Sequence, residues 1–237
     1  MAISIINILL IGDEPNILRI LRRNLISRGY EVLIALDDQE ADYVISKTDI
    51  SLFVLNLDFE TIQVDGLEIV QMIRNNSQAP IIVLSAVGSE NLKIQAFDMG
   101  ADDYLVMPFG MEEFLARVRS GLRRWSTQTN GKTSQSKVII SGNLLIDVEA
   151  REIKIRGEPV HLTPTEFDLL YYLAKNSGKV ITHRELLKEI WGNEYGDERE
   201  YLRVFISQVR KKIENDQIRP KYILTVPGVG YRFTIDQ

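Results

Sequence analysis

Several apolar segments of the chain end in residues that can do chemistry. Asp13 and Glu14 follow ILLIG, Asn56 and Asp58 close LFVLNLD, Ser85 closes IIVLS, and Tyr104 and Met107 fall in ADDYLVMPF. Carboxylates can act as nucleophiles and as ligands for hard divalent cations. A carboxamide such as Asn56 is a poor nucleophile and an uncharged, weak ligand for Mg²⁺. A second group is cationic. Arg199, Arg203, Ser207, Arg210 and Lys211 share one stripe of a helical pattern, opposite Leu202, Phe205, Ile206, Val209 and Ile213. Seven Lys/Arg against three Asp/Glu lie between Arg199 and Lys221, a balance suited to the phosphates of nucleic acid. Other chemistry is excluded. Cys is absent and the only histidines are His161 and His183, so disulfides, thiolate metal sites and a multi-His zinc centre are ruled out. No metal, no cofactor and no catalytic residue of an enzyme is expected.

The elements that position the first group alternate between strand and helix. Apolar, strand-like runs at Ile5–Ile11, Glu31–Ala35, Ser51–Leu57, Pro80–Ser85 and Tyr104–Val106 each precede a helical pattern: Asn16–Arg28, Asp38–Ser46, Leu67–Asn75, Leu92–Met99 and Met111–Trp125. Five such units predict a parallel sheet covered on both faces, with sites at the carboxyl ends of its strands. Asp13, Glu14 and Pro15 also look like a helix start with an acidic cap.

The grammar changes after residue 137. Val138–Arg156 reads as an antiparallel meander, followed by helices at Thr165–Asn176, His183–Trp191 and Glu198–Asn215. The end reads as two strands around Pro227-Gly228-Val229-Gly230. Thr163 or Thr165 can cap the first helix, and Thr182 with Glu185 forms a capping-box pattern. Between the halves, residues 126–137 (STQTNGKTSQSK) hold no large apolar residue and read as a linker. The expected domains are therefore 1–125, a linker at 126–137, and 138–237.

Charge separates the halves too. Residues 1–125 hold 11 Lys+Arg against 18 Asp+Glu, and residues 126–237 hold 17 against 15. Two modules with different partners fit that asymmetry. At 45% hydrophobic and 26% charged residues, the composition is that of a soluble globular protein, which excludes disorder. No apolar run reaches the roughly 20 residues of a membrane span, and the start lacks the marks of a signal peptide. The cytoplasm is the expected location, and no membrane is expected as a partner.

These motifs carry a resemblance. ILLIGDEP, LFVLNLD, IIVLSA and ADDYLVMPF resemble the receiver domain of bacterial two-component response regulators, a flavodoxin-like (βα)5 fold. The second half, through LTPTEFDLLYYLAKNSGKVITHRELL and GYRF, resembles the winged-helix effector of the OmpR/PhoB subfamily, with the KdpE-like group closest in flavour. The resemblance implies an α/β receiver with a parallel sheet, plus a C-terminal α+β winged helix-turn-helix domain. In such receivers an aspartate attacks a phosphohistidine, acidic residues hold Mg²⁺, and a lysine pairs with the phosphoryl group. A hydroxyl and an aromatic ring then transmit the change.

Carried over by position, much of that pocket is degenerate. Gly12 stands where the first metal-site acid is expected, and only Asp13 remains. Asn56 stands at the phospho-acceptor and Met107 at the lysine. Ser85 and Tyr104 keep the hydroxyl and the ring. The loop LDFETIQVDG is about two residues longer than usual and lacks the customary proline before Asp65-Gly66. The three losses are consistent: without a phosphoryl group, a lysine would be an unpaired buried charge, and methionine is the less costly occupant. Phosphotransfer is expected to be lost.

The resemblance also implies a homodimer through the receiver. Its face would pair Lys93 with Glu113, Asp98 with Arg117, and Asp102 or Asp103 with Arg119, while Ile94, Phe97 and Leu115 supply apolar contact. A merely solvated charged face is the plainer alternative. On the DNA side, Arg203, Ser207 and Gln208 are the base-reading candidates. Arg184, Arg210, Lys211 and Arg232 are the phosphate candidates, and Arg199 belongs to the same basic stripe. His183 reads as a surface residue at a helix start. Pro227 occupies the wing position where many relatives carry an arginine. The expected partners are double-stranded DNA with tandem half-sites, a second copy of the chain, and RNA polymerase.

The expectation is thus a sequence-specific transcription regulator that works without aspartyl phosphorylation. Two other readings stay open. One is a conventional regulator phosphorylated on Asp58. The other is an adaptor whose receiver pocket senses a ligand or protein.

Overall fold

The computed structural model describes residues 6–59, 65–130, 138–192, 195 and 198–235. The chain divides into two compact units, 1–129 and 130–237.

In the first unit, strands β1 (Asn7–Ile11), β2 (Glu31–Ala35), β3 (Leu52–Asn56), β4 (Ile81–Ser85) and β5 (Asp103–Val106) form one parallel sheet in the order β2-β1-β3-β4-β5. Helices α1 (Pro15–Ile26), α2 (Asp38–Lys47), α3 (Gly66–Asn76), α4 (Glu90–Asp98) and α5 (Met111–Asn130) follow the strands in turn. One face of the sheet packs Ile8, Leu52, Val54, Ile82 and Leu105 against Leu18, Leu21 and Leu25 of α1 and Phe114, Leu115 and Val118 of α5. The alternate residues Leu9, Ile11, Phe53, Leu55 and Val83 are just as buried on the other face. Burial on both sides is why the strands read as unbroken apolar runs.

The turn from α3 into β4 is pinned by Arg74. Its guanidinium donates to the carbonyls of Ser77, Ala79 and Gly100 and to Asp102 Oδ2 at 2.7 Å. Asp102 Oδ2 also accepts the Ile81 N–H at 3.0 Å, fixing the first residue of β4.

Two boundaries differ from the sequence reading. Glu14 occupies the N-cap of α1 but makes no side-chain cap bond, although Pro15 does open the helix. Helix α5 runs through Asn130, so the first five residues of the expected linker are helical. Each added residue gains one backbone hydrogen bond whether or not it has an apolar face to bury, so polar composition alone does not end a helix. Ile5, residues 60–64 of the long loop and residues 131–137 of the linker lie outside the described residues.

The second unit opens with an antiparallel meander, β6 (Val138–Ser141), β7 (Leu144–Asp147), β8 (Glu152–Ile155) and β9 (Glu158–Val160), paired in sequence order. Helix α6 (Pro164–Lys175) starts in a full capping box: Thr163 accepts from the Glu166 N–H, and Glu166 accepts from the Thr163 N–H at 2.7 Å. Strand β10 (Val180–Thr182), helices α7 (His183–Ile190) and α8 (Arg199–Ile213), and strands β11 (Ile223–Val226) and β12 (Gly230–Phe233) follow. Thr182 caps α7 by accepting from Glu185 N at 3.1 Å. The helices close over Leu169, Leu173, Leu187, Leu202, Phe205 and Val209, all fully buried. The last sheet has the order β10-β12-β11. A Cβ at Gly230 would lie 1.9 Å from the Ile181 carbonyl oxygen, so only glycine lets β10 lie against the hairpin.

Candidate functional site

All five strands of the receiver-like unit run the same way, so their carboxyl ends share one edge of the sheet. That edge gathers Gly12 and Asp13 after β1, Asn56 at the end of β3, Ser85 at the end of β4, and Met107 after β5. Asn56 is only 3% exposed, and its Oδ1 accepts the Asp58 N–H at 3.2 Å. This bond turns the chain back over the strand end and brings the Asp58 side chain to β4. Ser85 Oγ donates to Asp58 Oδ1 at 2.8 Å, and the Ala86 N–H donates to Asp58 Oδ2. Ser85 Oγ accepts the Val87 N–H at 3.0 Å, and the Tyr104 hydroxyl donates to the Val87 carbonyl at 2.6 Å. Tyr104 is buried at 1% exposure. Burial raises its pKa, the hydrogen bond to Ser85 opposes this, and the Asp58 carboxylate adds to the rise.

The donor set does not suit the Mg²⁺ of an ordinary receiver. After the first strand Asp13 is half-buried and Glu14 is exposed at the start of α1, Asn56 offers an uncharged amide, and Gly12 offers nothing. Among the described residues no three acidic or His groups lie close enough together to hold a metal ion. Gly12 also sits tightly: a Cβ there would lie 3.0 Å from Asn56 Cβ. Met107 is half-buried, and its N–H donates to the Ser85 carbonyl at 2.8 Å.

The expected dimer face needs correction at five residues. Asp102 is fully buried and paired with Arg74, so it cannot serve as a surface partner of Arg119. Arg117 is 8% exposed and donates within its own chain, to Asp103 Oδ1 at 2.9 Å and Glu113 Oε1 at 2.8 Å. Asp103 is 2% exposed and joins that network. Leu115 belongs to the core beneath the sheet and Phe97 is only 2% exposed, so neither can supply apolar contact to a partner. The i,i+4 spacing of Glu113 and Arg117 permits an internal pair as readily as an external one. Asp98, Glu113 and Arg119 are exposed, while Lys93 and Ile94 are half-buried.

In the second unit, α8 presents Arg199, Arg203, Ser207 and Lys211 along one exposed stripe at four-residue spacing. Arg184 is exposed in the first turn of α7, and Arg232 is half-buried on β12. Two candidates stand apart from that stripe. Gln208 is buried, three residues after Phe205 on the covered side of α8. Arg210 turns toward the hairpin: Nε and Nη2 donate to the Ile223 carbonyl at 3.1 and 2.6 Å, and Nη2 donates to Thr225 Oγ1 at 2.8 Å. Burial lowers its pKa, against the opposing pull of Tyr231 and Glu214. Arg210 thus holds the helix to the hairpin instead of standing out for a phosphate.

Sequence reasoning missed Glu214, which sits just past α8. Its carboxylate accepts from the N–H groups of Lys221, Tyr222 and Ile223 at 2.7, 2.8 and 3.0 Å, fastening the helix end to the start of β11. It also placed His183 only on the surface. The ring packs edge-on to Tyr231 with centroids 5.5 Å apart. Burial lowers the His183 pKa, and the positive charges of Arg199 and Arg203 lower it further.

Comparison with known proteins agrees with this architecture. Residues 8–119 match the family model "Response regulator receiver domain", and residues 157–233 match "Transcriptional regulatory protein, C terminal". The chain is 42% identical over 226 residues to the transcriptional regulatory protein KdpE of Mycobacterium tuberculosis, covering 95% of this chain and 98% of the relative. It is 39% identical over 229 residues to the KDP operon transcriptional regulatory protein KdpE of Escherichia coli, covering 97% and 99%. Among solved structures, DrrB, an OmpR/PhoB homologue from Thermotoga maritima, is 31% identical, with a TM-score of 0.51 over 98% of this chain and all of that one. A receiver with a five-stranded parallel sheet, joined to a winged-helix unit with an exposed basic helix, places this chain in the OmpR/PhoB family of DNA-binding two-component response regulators.

Proposed function

We propose that this protein regulates transcription through a receiver that works without aspartyl phosphorylation. The observation that carries the proposal is Asn56, buried at the acceptor position and engaged in a hydrogen bond to the Asp58 N–H. A neutral carboxamide lacks the nucleophilic oxyanion that acyl-phosphate formation requires. Gly12 and Met107 remove a metal-site carboxylate and a cationic partner as well, and such losses act together, not additively. Asp58 is a poor alternative acceptor because donors already engage both of its carboxylate oxygens.

The protein reads double-stranded DNA as a homodimer joined through the receiver, on tandem half-sites about one helical turn apart. Arg203 and Ser207 read bases, and Arg184, Arg199, Lys211 and Arg232 hold phosphates. The receiver spans 1–125 and the winged-helix domain 138–237, with the helical end of α5 leading into the segment between them. The protein acts in the cytoplasm, carries no catalytic centre, and has RNA polymerase as its further partner. Among the described residues no helix is long and apolar enough to cross a membrane.

The test is incubation with acetyl phosphate and Mg²⁺, followed by intact-mass measurement and DNA titration. The expected result is no stoichiometric phosphoprotein and no change in affinity. A hydroxylamine-labile adduct mapped to Asp58, with tighter DNA binding, would instead establish a conventional regulator.

A further inference from the structure

The Asp58 carboxylate sits on two donors that succeed one another at the end of β4. Ser85 Oγ reaches Oδ1 at 2.8 Å, and the next backbone amide, that of Ala86, reaches Oδ2. A hydroxyl and the amide that follows it form a compact seat for an oxyanion, and hydrogen bonds to an ionised acceptor are the stronger kind. The same hydroxyl accepts the Val87 N–H at 3.0 Å, and the Val87 carbonyl accepts from Tyr104 at 2.6 Å. One chain of hydrogen bonds therefore runs from Asp58 through Ser85 and Val87 to the buried ring of Tyr104.

The sequence changes around this seat favour its occupant. Asn56 turns the backbone through its bond to the Asp58 N–H. An aspartate at position 56 would set a second negative charge two residues from Asp58 and repel it. The amide at position 56 and the seating of Asp58 thus suit one another.

We propose that the Asp58 carboxylate is a resident substitute for a phosphoryl group, a positioning residue that holds Ser85, the loop after β4 and Tyr104 in the arrangement that binds DNA. The proposal rests on the phosphorylation-independent reading above, and it adds the group that takes over from the modification. No bond is made or broken. The anion is part of the chain, and it acts through Ser85 and Ala86 without touching DNA.

The test uses the full chain and DNA fragments selected from a genomic library by the wild-type protein. Asp58→Ala is expected to weaken binding by about tenfold, the scale of one charge-assisted hydrogen bond pair. It should also shift the amide resonances of Ala86 and Val87 and speed the ring flips of Tyr104. Inorganic phosphate added to this variant should restore affinity and resonances saturably, relative to chloride at matched ionic strength. It should do nothing for an Asp58→Ala, Ser85→Ala double variant. Asn56→Asp should weaken binding with no phosphodonor present. If Asp58→Ala fails to fold, the isosteric Asp58→Asn, which keeps an acceptor for Ser85 but loses the charge, should show a smaller loss in the same direction.

Wild-type affinity and Tyr104 dynamics in the Asp58 variants would overturn the proposal. So would a weakened Asp58→Ala that no anion restores, since that marks a merely structural residue. Either result, with wild type still inert to acetyl phosphate, removes the substitute and leaves phosphorylation independence standing. Phosphorylation of Asp58 itself would remove both.

Discussion

Arg210 on α8 donates from Nη2 to the carbonyl oxygen of Ile223 at 2.6 Å, and so ties the basic helix to the hairpin that follows it. The guanidinium lies over Tyr231 as well, 5.8 Å from the ring centroid. With Glu214 gathering three backbone amides of the segment entering β11, the helix and the hairpin are fixed to one another at two places.

Arg210→Ala should therefore act on stability first. The Ile223 carbonyl and Thr225 hydroxyl lose their donor, at a cost of about 1–3 kcal/mol. Arg210→Lys should recover little, because one ammonium cannot reproduce the forked contact. Urea unfolding followed by Trp191 fluorescence in a Trp125→Phe background measures it.

Two exposed residues of α8 should separate reading from holding. Arg203→Ala should relax base preference and cost about 1–3 kcal/mol where the side chain makes a bidentate contact. Lys211→Ala should weaken all sequences alike and lower the salt slope by about one unit. Binding titrations at several salt concentrations, on matched and scrambled sites, distinguish the two. Equal binding by wild type and an Arg203, Lys211 double alanine variant would contradict the assignment of α8.

On the receiver, Arg117→Glu should damage the fold more than any dimer. It strands Asp103, which is 2% exposed, against a new negative charge, and breaking such a pair costs about 3–5 kcal/mol. A compensating reversal at Asp98 should not restore stability, as the partner of Arg117 is in its own chain. A Lys93→Glu and Glu113→Lys exchange is the better probe of self-association. Thermal unfolding and sedimentation of residues 1–130 give the two readouts.

DNA affinity should rise as pH falls below the ordinary histidine pKa of 6.5. Burial and the charges of Arg199 and Arg203 hold the folded His183 pKa below its ordinary 6.5. The free protein therefore loses stability as pH falls from the unfolded pKa through the folded one, because the unfolded chain takes the proton first. A phosphate on Arg199 and base acceptors facing Arg203 offset those charges, so binding raises the His183 pKa and takes up a proton. His183→Gln should flatten the pH dependence of the binding constant while leaving its value at pH 8 within about twofold.

Much of this was legible in the chain. The β-α alternation was plain because strands buried on both faces read as unbroken apolar runs, as at PIIVLS. The basic stripe of α8 was plain because its apolar residues keep helical spacing. Strand β10 was not seen, since three residues are too few to show a period and its partner β12 lies fifty residues on. Sequence spacing put Arg210 beside Lys211 on the exposed stripe, but a long side chain at the edge of a helix goes to the nearest carbonyls. Asp102 and Arg117 read as surface charges because their partners, Arg74 and Asp103, are contributed by other elements. Asp58 was weighed as an acceptor of phosphate, while its role as an acceptor of hydrogen bonds depends on the turn that Asn56 makes.

An anion built into the polypeptide keeps time differently from one that is added and removed. A phosphoryl group on aspartate hydrolyses, and that lifetime sets how long a regulator remembers its signal. The Asp58 carboxylate has no such clock. If it stands in for the phosphoryl group as proposed, every newly folded molecule starts in the same condition, and the quantity that varies is the number of copies. Synthesis, proteolysis and dilution by growth then set the tempo of the response.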